Sequence, residues 1–228
     1  LRSKEWYVNN KINLKLNTNI KFINHKNKSL SDEKDNLYYY DKLVIATGSK
    51  NNLLGIDTKE YQKGNFFSLR NLEDSKRIRK KISEVQTITI IGAGFIGLEI
   101  ATTALQLNKD VTIIENSENV MGRSISKDLS KWLINYYTKS GIKFIFNKSF
   151  KSFKSDENSV MNVVLSDDTK INSEMVLISA GSQPNDLLFK SIKVNEFNKI
   201  KVNSFLETNI NDIYAIGDCC FFDYHSKE

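Results

Sequence analysis

Apolar positions between residues 11 and 50 fall in short runs parted by polar turns: Ile12 to Leu16, Ile20 to Ile23, Leu37 to Tyr40 and Leu43-Val44-Ile45-Ala46. Runs of this length, rich in β-branched and aromatic residues, predict strands, preceded by one helical turn around Trp6 and Tyr7. The fourth run is apolar throughout and ends in Thr47-Gly48-Ser49, the pattern of a parallel strand buried on both faces. Residues 51 to 69 read as a polar link.

From Asn71 the period becomes helical. Asn71 is placed as an N-cap, Glu73 and Asp74 fall in the first turn, and Ile78, Ile82 and Val85 share one face. Thr87 to Ile91 predicts a strand, Phe95 to Leu107 a helix closed by Asn108, and Val111 to Ile114 a second strand ending at Glu115. Leu129, Trp132, Leu133, Tyr136 and Tyr137 mark another amphipathic helix, stopped by Gly141 and followed by strand Ile142 to Phe146. Strand, helix, strand, helix, strand with connections this short makes a parallel α/β unit. Residues 149 to 171 return to hairpin-like strands turning at Asp167-Asp168, and Met175 to Ser179 is one more buried strand, ending in Ala180-Gly181-Ser182.

Composition narrows the class. The chain has 228 residues, is 40% hydrophobic and 26% charged, and holds 1 Pro and 2 Cys, so collagen-like, mucin-like and disulfide-stapled classes are excluded. No apolar run reaches the roughly 18 residues a membrane span needs, so no membrane partner is expected, and no secretory signal is visible. Cys219 and Cys220 are adjacent, a spacing that seldom meets disulfide geometry, and read as reduced, which points to a cytoplasmic protein. His25 and His225 stand far apart with no ligand spacing, so no metal site is expected. The net charge of +6 comes mainly from scattered Lys, with no basic stripe interleaved with aromatics; nucleic acid is not an expected partner, although an acidic protein would feel the field.

The strand Thr87 to Ile91 runs into Gly92-Ala93-Gly94-Phe95-Ile96-Gly97, a G-x-G-x-x-G turn. The first glycine allows the tight turn, the second lets backbone approach a pyrophosphate, and the third lets the helix lie close to the sheet, while the helix N-terminus faces the phosphates. Taken alone this pattern is weak. Glu115 strengthens it, because it ends the next strand near the roughly 20-residue interval at which a carboxylate accepts both hydroxyls of the adenosine ribose. A strand-end glutamate is otherwise an ordinary solvated residue. Asn116, Ser117 and Glu118 follow it and Arg123 is the first cation, which favours NAD(H) over a 2′-phosphorylated cofactor.

Two further segments carry a family resemblance. Tyr40-Asp41-Lys42-Leu43-Val44-Ile45-Ala46-Thr47-Gly48-Ser49-Lys50 resembles the "ATG" strand of the two-dinucleotide flavoproteins, the pyridine nucleotide–disulfide oxidoreductase superfamily, and Ile213-Tyr214-Ala215-Ile216-Gly217-Asp218-Cys219 resembles their late strand. Within that superfamily Gly94-Phe95-Ile96-Gly97-Leu98-Glu99, Leu69-Arg70-Asn71-Leu72-Glu73-Asp74 and Met121-Gly122-Arg123 are most similar to NADH-dependent ferredoxin and rubredoxin reductases. The resemblance implies a two-dinucleotide-binding, Rossmann-like α/β fold with a parallel sheet plus a small antiparallel β-meander. It divides the chain into the second part of an FAD-binding domain (1–68), an NAD-binding domain (69–195) and the returning segment of the FAD domain (196–228).

By the same resemblance, Gly92, Ala93, Gly94, Phe95, Ile96, Gly97, Glu99, Glu115, Arg123 and Gly181 would line the NAD site. Ile20, Ala46, Thr47, Gly48, Lys50, Gly217 and Asp218 would serve FAD, with Asp218 on the ribityl hydroxyls. Lys50 stands where the family has Arg, and keeps the charge without the planar fork; Asn51 replaces the proline that follows. The implied activity is hydride transfer from NADH to FAD and then electron delivery to a small acidic iron–sulfur acceptor, a ferredoxin or rubredoxin. No side-chain acid or base is needed, since the chemistry belongs to the cofactors.

The family's first FAD-binding strand and glycine loop would precede Leu1 and its interface domain would follow Glu228, so a longer protein is expected and this piece is expected to hold FAD poorly. Two alternatives stay open. One is a thiol-dependent NADH oxidase, NADH peroxidase or coenzyme A-disulfide reductase with its cysteine upstream. The other is a signalling module resembling apoptosis-inducing factor, in which NADH alters association more than turnover.

Overall fold

The computed structural model describes residues 2–56, 65–122, 124–155, 161–185 and 192–222. The chain forms two compact units, one of residues 1–49 with 184–228 and the other of residues 50–183.

The larger unit is built on a five-stranded parallel sheet. Its members are Phe66–Phe67 (β6), Thr87–Ile91 (β7), Asp110–Ile114 (β8), Lys143–Ile145 (β9) and Met175–Ile178 (β13), in the order β6-β13-β7-β8-β9. The helices Leu72–Glu84 (α2), Phe95–Gln106 (α3) and Lys127–Lys139 (α4) connect the strands. Right-handed crossovers running in one direction along the sheet put all three helices on one face. The strand side chains alternate accordingly. Ile88, Ile90, Val111, Ile113, Met175 and Leu177 pack with Ile78, Ile82, Leu98, Ala101 and Ala104 of the helices. Ile91, Ile114, Val176 and Ile178 point to the opposite face, where they meet Val163 and Leu165 of the antiparallel meander Phe150–Ser155 (β10), Met161–Leu165 (β11) and Lys170–Ser173 (β12). Burial on both faces is why these strands read as continuous apolar runs.

Local signals end the elements as the sequence implied. Asn71 caps α2 in a full capping box with Asp74, worth about 1 kcal/mol. Asn108 takes φ +57° just past α3, and Gly141 takes +108° after α4. Asp168 turns the β11–β12 hairpin at φ +65°.

The smaller unit holds a helix Lys4–Asn9 (α1), capped by Ser3, and an antiparallel meander of Ile20–Asn24 (β1), Ser29–Asp32 (β2) and Leu37–Tyr39 (β3). Leu43–Ile45 (β4) pairs in parallel with Ile213–Ala215 (β16), and Ile200–Val202 (β15) with Cys220–Phe222 (β17). Ile23, Ile45, Ile192, Ile200, Ile213 and Ala215 form its core. The chain passes from one unit to the other within Ser49–Asn51 (β5) and returns within Ser182–Pro184 (β14).

Four expectations are corrected. Ile12 to Leu16 forms no strand: Ile12, Leu14 and Leu16 are all exposed, because alternation marks a face but supplies no partner strand. Residues 51 to 69 are more than a polar link, since Phe66 is fully buried as β6, pairs with Val176 and meets the Phe153 ring edge-on at 4.4 Å. The strand β4 is buried on one face and not on both, since Leu43 and Ile45 pack on the core of the smaller unit while Val44 is 53% exposed. Finally, α4 is rotated from its expected face. Leu133, Ile134 and Tyr137 pack on the core and Ser130, fully buried, donates to the Val120 carbonyl, whereas Leu129, Trp132 and Tyr136 are exposed and the two rings stack on each other.

Phe66→Ala removes a fully buried ring and is expected to destabilise the protein by about 3–5 kcal/mol, read as a lower denaturant midpoint; a change below about 1 kcal/mol would show β6 to be dispensable. The β2–β3 turn supplies a pH test. Asp32 accepts from the Asn36 side chain and amide, the Tyr38 hydroxyl and the Lys34 amide, which holds its carboxyl down at about 2. A carboxyl depressed in the folded state contributes stability above its unfolded value near 3.9, and that contribution fades as pH falls toward 2. Urea midpoints are therefore expected to drop between pH 5 and pH 2 in the native chain and to drop less in Asp32→Asn.

Candidate functional site

Of the four α-helices among the described residues, three start under a side-chain cap: Ser3 on α1, Asn71 on α2 and Ser126 on α4. Helix α3 is different. It starts at Gly94, which offers no side chain, and its first turn contains no acidic residue. Glycine in place of a capping side chain costs only about 0.3 kcal/mol and leaves first-turn N–H groups for an external acceptor. With the dipole of a 12-residue helix behind them, these amides favour an anion.

The three glycines of the turn differ in what requires them. Gly92 sits at φ +104°, and a Cβ there would lie 2.5 Å from the Ser179 carbonyl oxygen. At Gly97 a Cβ would overlap the Gly92 carbonyl oxygen and crowd the Ser179 hydroxyl. Both are demanded by the protein's own packing of α3 against β7 and β13. Gly94 is extended at φ −81°, and nothing lies within 4 Å of where its Cβ would be. Its lack of a side chain serves no neighbour in the chain; it leaves a cradle beside the uncapped amides.

Register brings Glu115 to that cradle. The Gly92 amide donates to the Ile114 carbonyl at 2.8 Å, which sets the turn level with the end of β8. Glu115 then accepts through Oε2 from the Ala93 amide at 2.9 Å and through Oε1 from the Ser117 amide and hydroxyl, both at 3.0 Å. About four acceptor positions exist on a carboxylate, so a hydroxyl can still be received. The chemistry suits a diphosphate at Gly94 with a ribose diol at Glu115. Gly181, just past β13, takes φ +85° with open space at its Cβ, and its carbonyl accepts from the Asn52 amide. Phe95 and Ile96 are exposed on the first turn of α3 and Glu99 is exposed one turn on. Arg123 lies outside the described residues.

In the smaller unit, pairing of β4 with β16 sets two turns side by side. Ala46, Thr47 and Gly48 (φ +69°) follow β4; Gly217 (φ +75°) and Asp218 follow β16 in one turn of 3-10 helix. The Ile216 amide donates to the Ile45 carbonyl and the Ser49 hydroxyl to Asp218 Oδ2 at 2.8 Å, so the exposed carboxylate is held in orientation at the strand ends. Asn185 steadies the first turn, its side-chain amide donating to the Thr47 carbonyl at 2.6 Å and its backbone amide to that of Gly48. An oriented acceptor beside two side-chain-free positions suits a polyol. Ile20 opens β1 in the meander, and Lys50 is the first residue of the other unit.

The sequence reading passed over four residues that hold the site: Ser117 on Glu115, Ser179 against Gly92 and Gly97, Ser49 on Asp218, and Asn185 on the turn after β4. Ser49 and Ser179 had a signal, since each stands in a run already singled out as a strand end. Ser117 and Asn185 had none, because a lone polar loop residue has many ordinary uses. The cysteines show no reactive character: buried Cys219 donates to the Ile216 carbonyl at 3.2 Å, and burial pushes the Cys220 thiol up.

Residues 4–227 match the family model described as pyridine nucleotide-disulphide oxidoreductase. The chain is 30% identical over 219 residues to a rubredoxin-NAD(+) reductase of Pseudomonas putida, covering 96% of this chain and 56% of that protein. It is 28% identical to a putidaredoxin reductase of the same organism, covering 100% of this chain and 54% of that one. The reductase in a covalent putidaredoxin reductase–putidaredoxin complex superposes with a TM-score of 0.90 at 27% identity, covering 99% of this chain and 55% of that one. The chain thus spans about half the length of the relatives it matches. With a family model matched over nearly its whole length, the chain belongs to the pyridine nucleotide-disulphide oxidoreductase family.

Proposed function

We propose that the chain is part of an NADH-dependent flavoprotein reductase that delivers electrons to a small iron–sulfur protein. NAD(H) takes the cradle at Gly94 and Glu115, and FAD takes the turns after β4 and β16. The observation that carries the reading is the uncapped start of α3 at Gly94 with Glu115 tied beside it. Relatives that reduce rubredoxin and putidaredoxin support the choice of acceptor class. A thiol route gains no support from Cys219 or Cys220.

When bound, the nicotinamide supplies a hydride and the flavin accepts it and releases electrons singly. The residues of this chain bind and orient. First-turn amides of α3 receive the diphosphate, with the helix dipole adding to the attraction. Glu115 receives a ribose hydroxyl at its remaining acceptor position, and its charge repels a 2′-phosphate. Ser117 and the Ala93 amide hold that carboxylate in place, so no orientation has to be established when the nucleotide arrives. Asp218, steered by Ser49, receives hydroxyls of the ribityl chain.

Calorimetric titration is expected to show NADH bound more tightly than NADPH. Gly94→Val, which fills space no other residue occupies, is expected to weaken NADH at least about tenfold with an unchanged circular dichroism spectrum. Glu115→Gln is expected to narrow the NADH preference by about 10- to 100-fold, the worth of a charge-assisted hydrogen bond. NADPH preferred over NADH, or NADH affinity unmoved by Gly94→Val, would overturn the assignment of this cradle. For the other cofactor, fluorescence titration of FAD is expected to show about tenfold weaker binding in Asp218→Ala, and an unchanged affinity would remove Asp218 from the flavin site.

A further inference from the structure

Helix α2 carries five cations in six consecutive positions, Lys76, Arg77, Arg79, Lys80 and Lys81, interrupted only by buried Ile78. Three of them have local work. Arg77 lies 5.5 Å over the Phe67 ring, Lys76 pairs with Glu73 at 2.7 Å, and Lys81 faces the charge of Glu174. Among the described residues neither Arg79 nor Lys80 has an ion-pair partner. These two, with Lys76 and Ser83, line an open cavity of about 440 Å³ whose remaining wall is Leu107, at the C-terminal end of α3 and 51% exposed. Positions 76, 79, 80 and 83 form one line along the helix, about 10 Å long at 1.5 Å per residue.

The arrangement is a cationic rim over an apolar floor made of Leu107 and the methylene stems of the lysines. We propose that this groove docks a short acidic segment of a partner protein, its carboxylates on Arg79 and Lys80 and one apolar side chain on Leu107. Charge complementarity selects the occupant. The Arg79 guanidinium can grip a carboxylate with two parallel hydrogen bonds, and Lys80 adds a second point of charge. A nucleic acid fits less well, because no aromatic ring lines the groove for a base to stack on. The groove shares no residue with the cradle at Gly94 and Glu115, so it goes beyond the reductase reading and stands or falls apart from it.

The test uses the 228-residue chain and a fluorescein-labelled, end-blocked Glu-Glu-Leu-Glu-Glu peptide, followed by fluorescence anisotropy. Arg79→Glu with Lys80→Glu is expected to weaken the peptide at least about tenfold, and Leu107→Asp to do so as well. Lys11→Glu with Lys15→Glu makes the same change in net charge on exposed positions of the other unit and is expected to change binding less than about twofold. NADH titration and circular dichroism of each variant report that the fold is kept. Equal losses in the two double variants would show only a diffuse positive field and would overturn the groove. So would a single-stranded oligonucleotide or a phosphatidylserine vesicle that binds more tightly than the peptide through Arg79 and Lys80.

Discussion

The site in the larger unit depends on one backbone hydrogen bond, from the Gly92 amide to the Ile114 carbonyl. It extends the parallel β7–β8 register one residue beyond the strands, so the glycine turn and Glu115 emerge at the same height. The Ala93 amide then reaches the Glu115 carboxylate without further adjustment. A slip of one residue would send Glu115 to the opposite face of the sheet and leave the start of α3 without its acidic neighbour. The register itself is held by apolar packing on both faces, with Ile88, Ile90, Val111 and Ile113 under the helices and Ile91 and Ile114 under the meander. The site is therefore a consequence of the core, extended by one residue into solvent.

The same device recurs in the smaller unit with different chemistry. The Ile216 amide donates to the Ile45 carbonyl just beyond the β4–β16 pairing, and the two turns that follow are set next to each other. Ser49, buried under its own turn, fixes Asp218 across that pairing. In both units a parallel pair ends in a glycine-containing turn on one strand and a carboxylate on or near the other. Parallel strands place all their C-terminal ends on one edge, which is why acceptors and open backbone collect there. The protein supplies fixed dipoles and carboxylates at these edges, and cofactors would bring the reactive atoms.

The glycines show how far a motif can be read from residues alone. The sequence pattern treats Gly92, Gly94 and Gly97 as one signature. In space, two are required by close packing against Ser179, and only Gly94 is free of any neighbour. Packing and ligand approach leave the same letter in the sequence. They are told apart by what surrounds a missing Cβ, and Ser179 lies nearly ninety residues away in the chain.

Local order was determined by the amino-acid sequence on its own: the cap of α2, the stop of α3 at Asn108, the turns at Asp168 and Gly141, the continuous apolar strands of the larger unit and the glycine turn with its strand-end glutamate. Each rests on propensities and spacings acting over a few residues. Tertiary structure decided which face of α4 is buried, because Ser130 with Leu133 and Tyr137 has the same period as Trp132 with Tyr136, and only the Val120 carbonyl and the core choose between them. It decided that Phe66 and Phe67 become a strand, which two residues cannot signal without β13 beside them. It also decided which partners Ser49, Ser179 and Asn185 find, in Asp218, Gly92 and Thr47. Those partners meet only after strands far apart in the chain have paired, and no pattern confined to one segment encodes such a meeting.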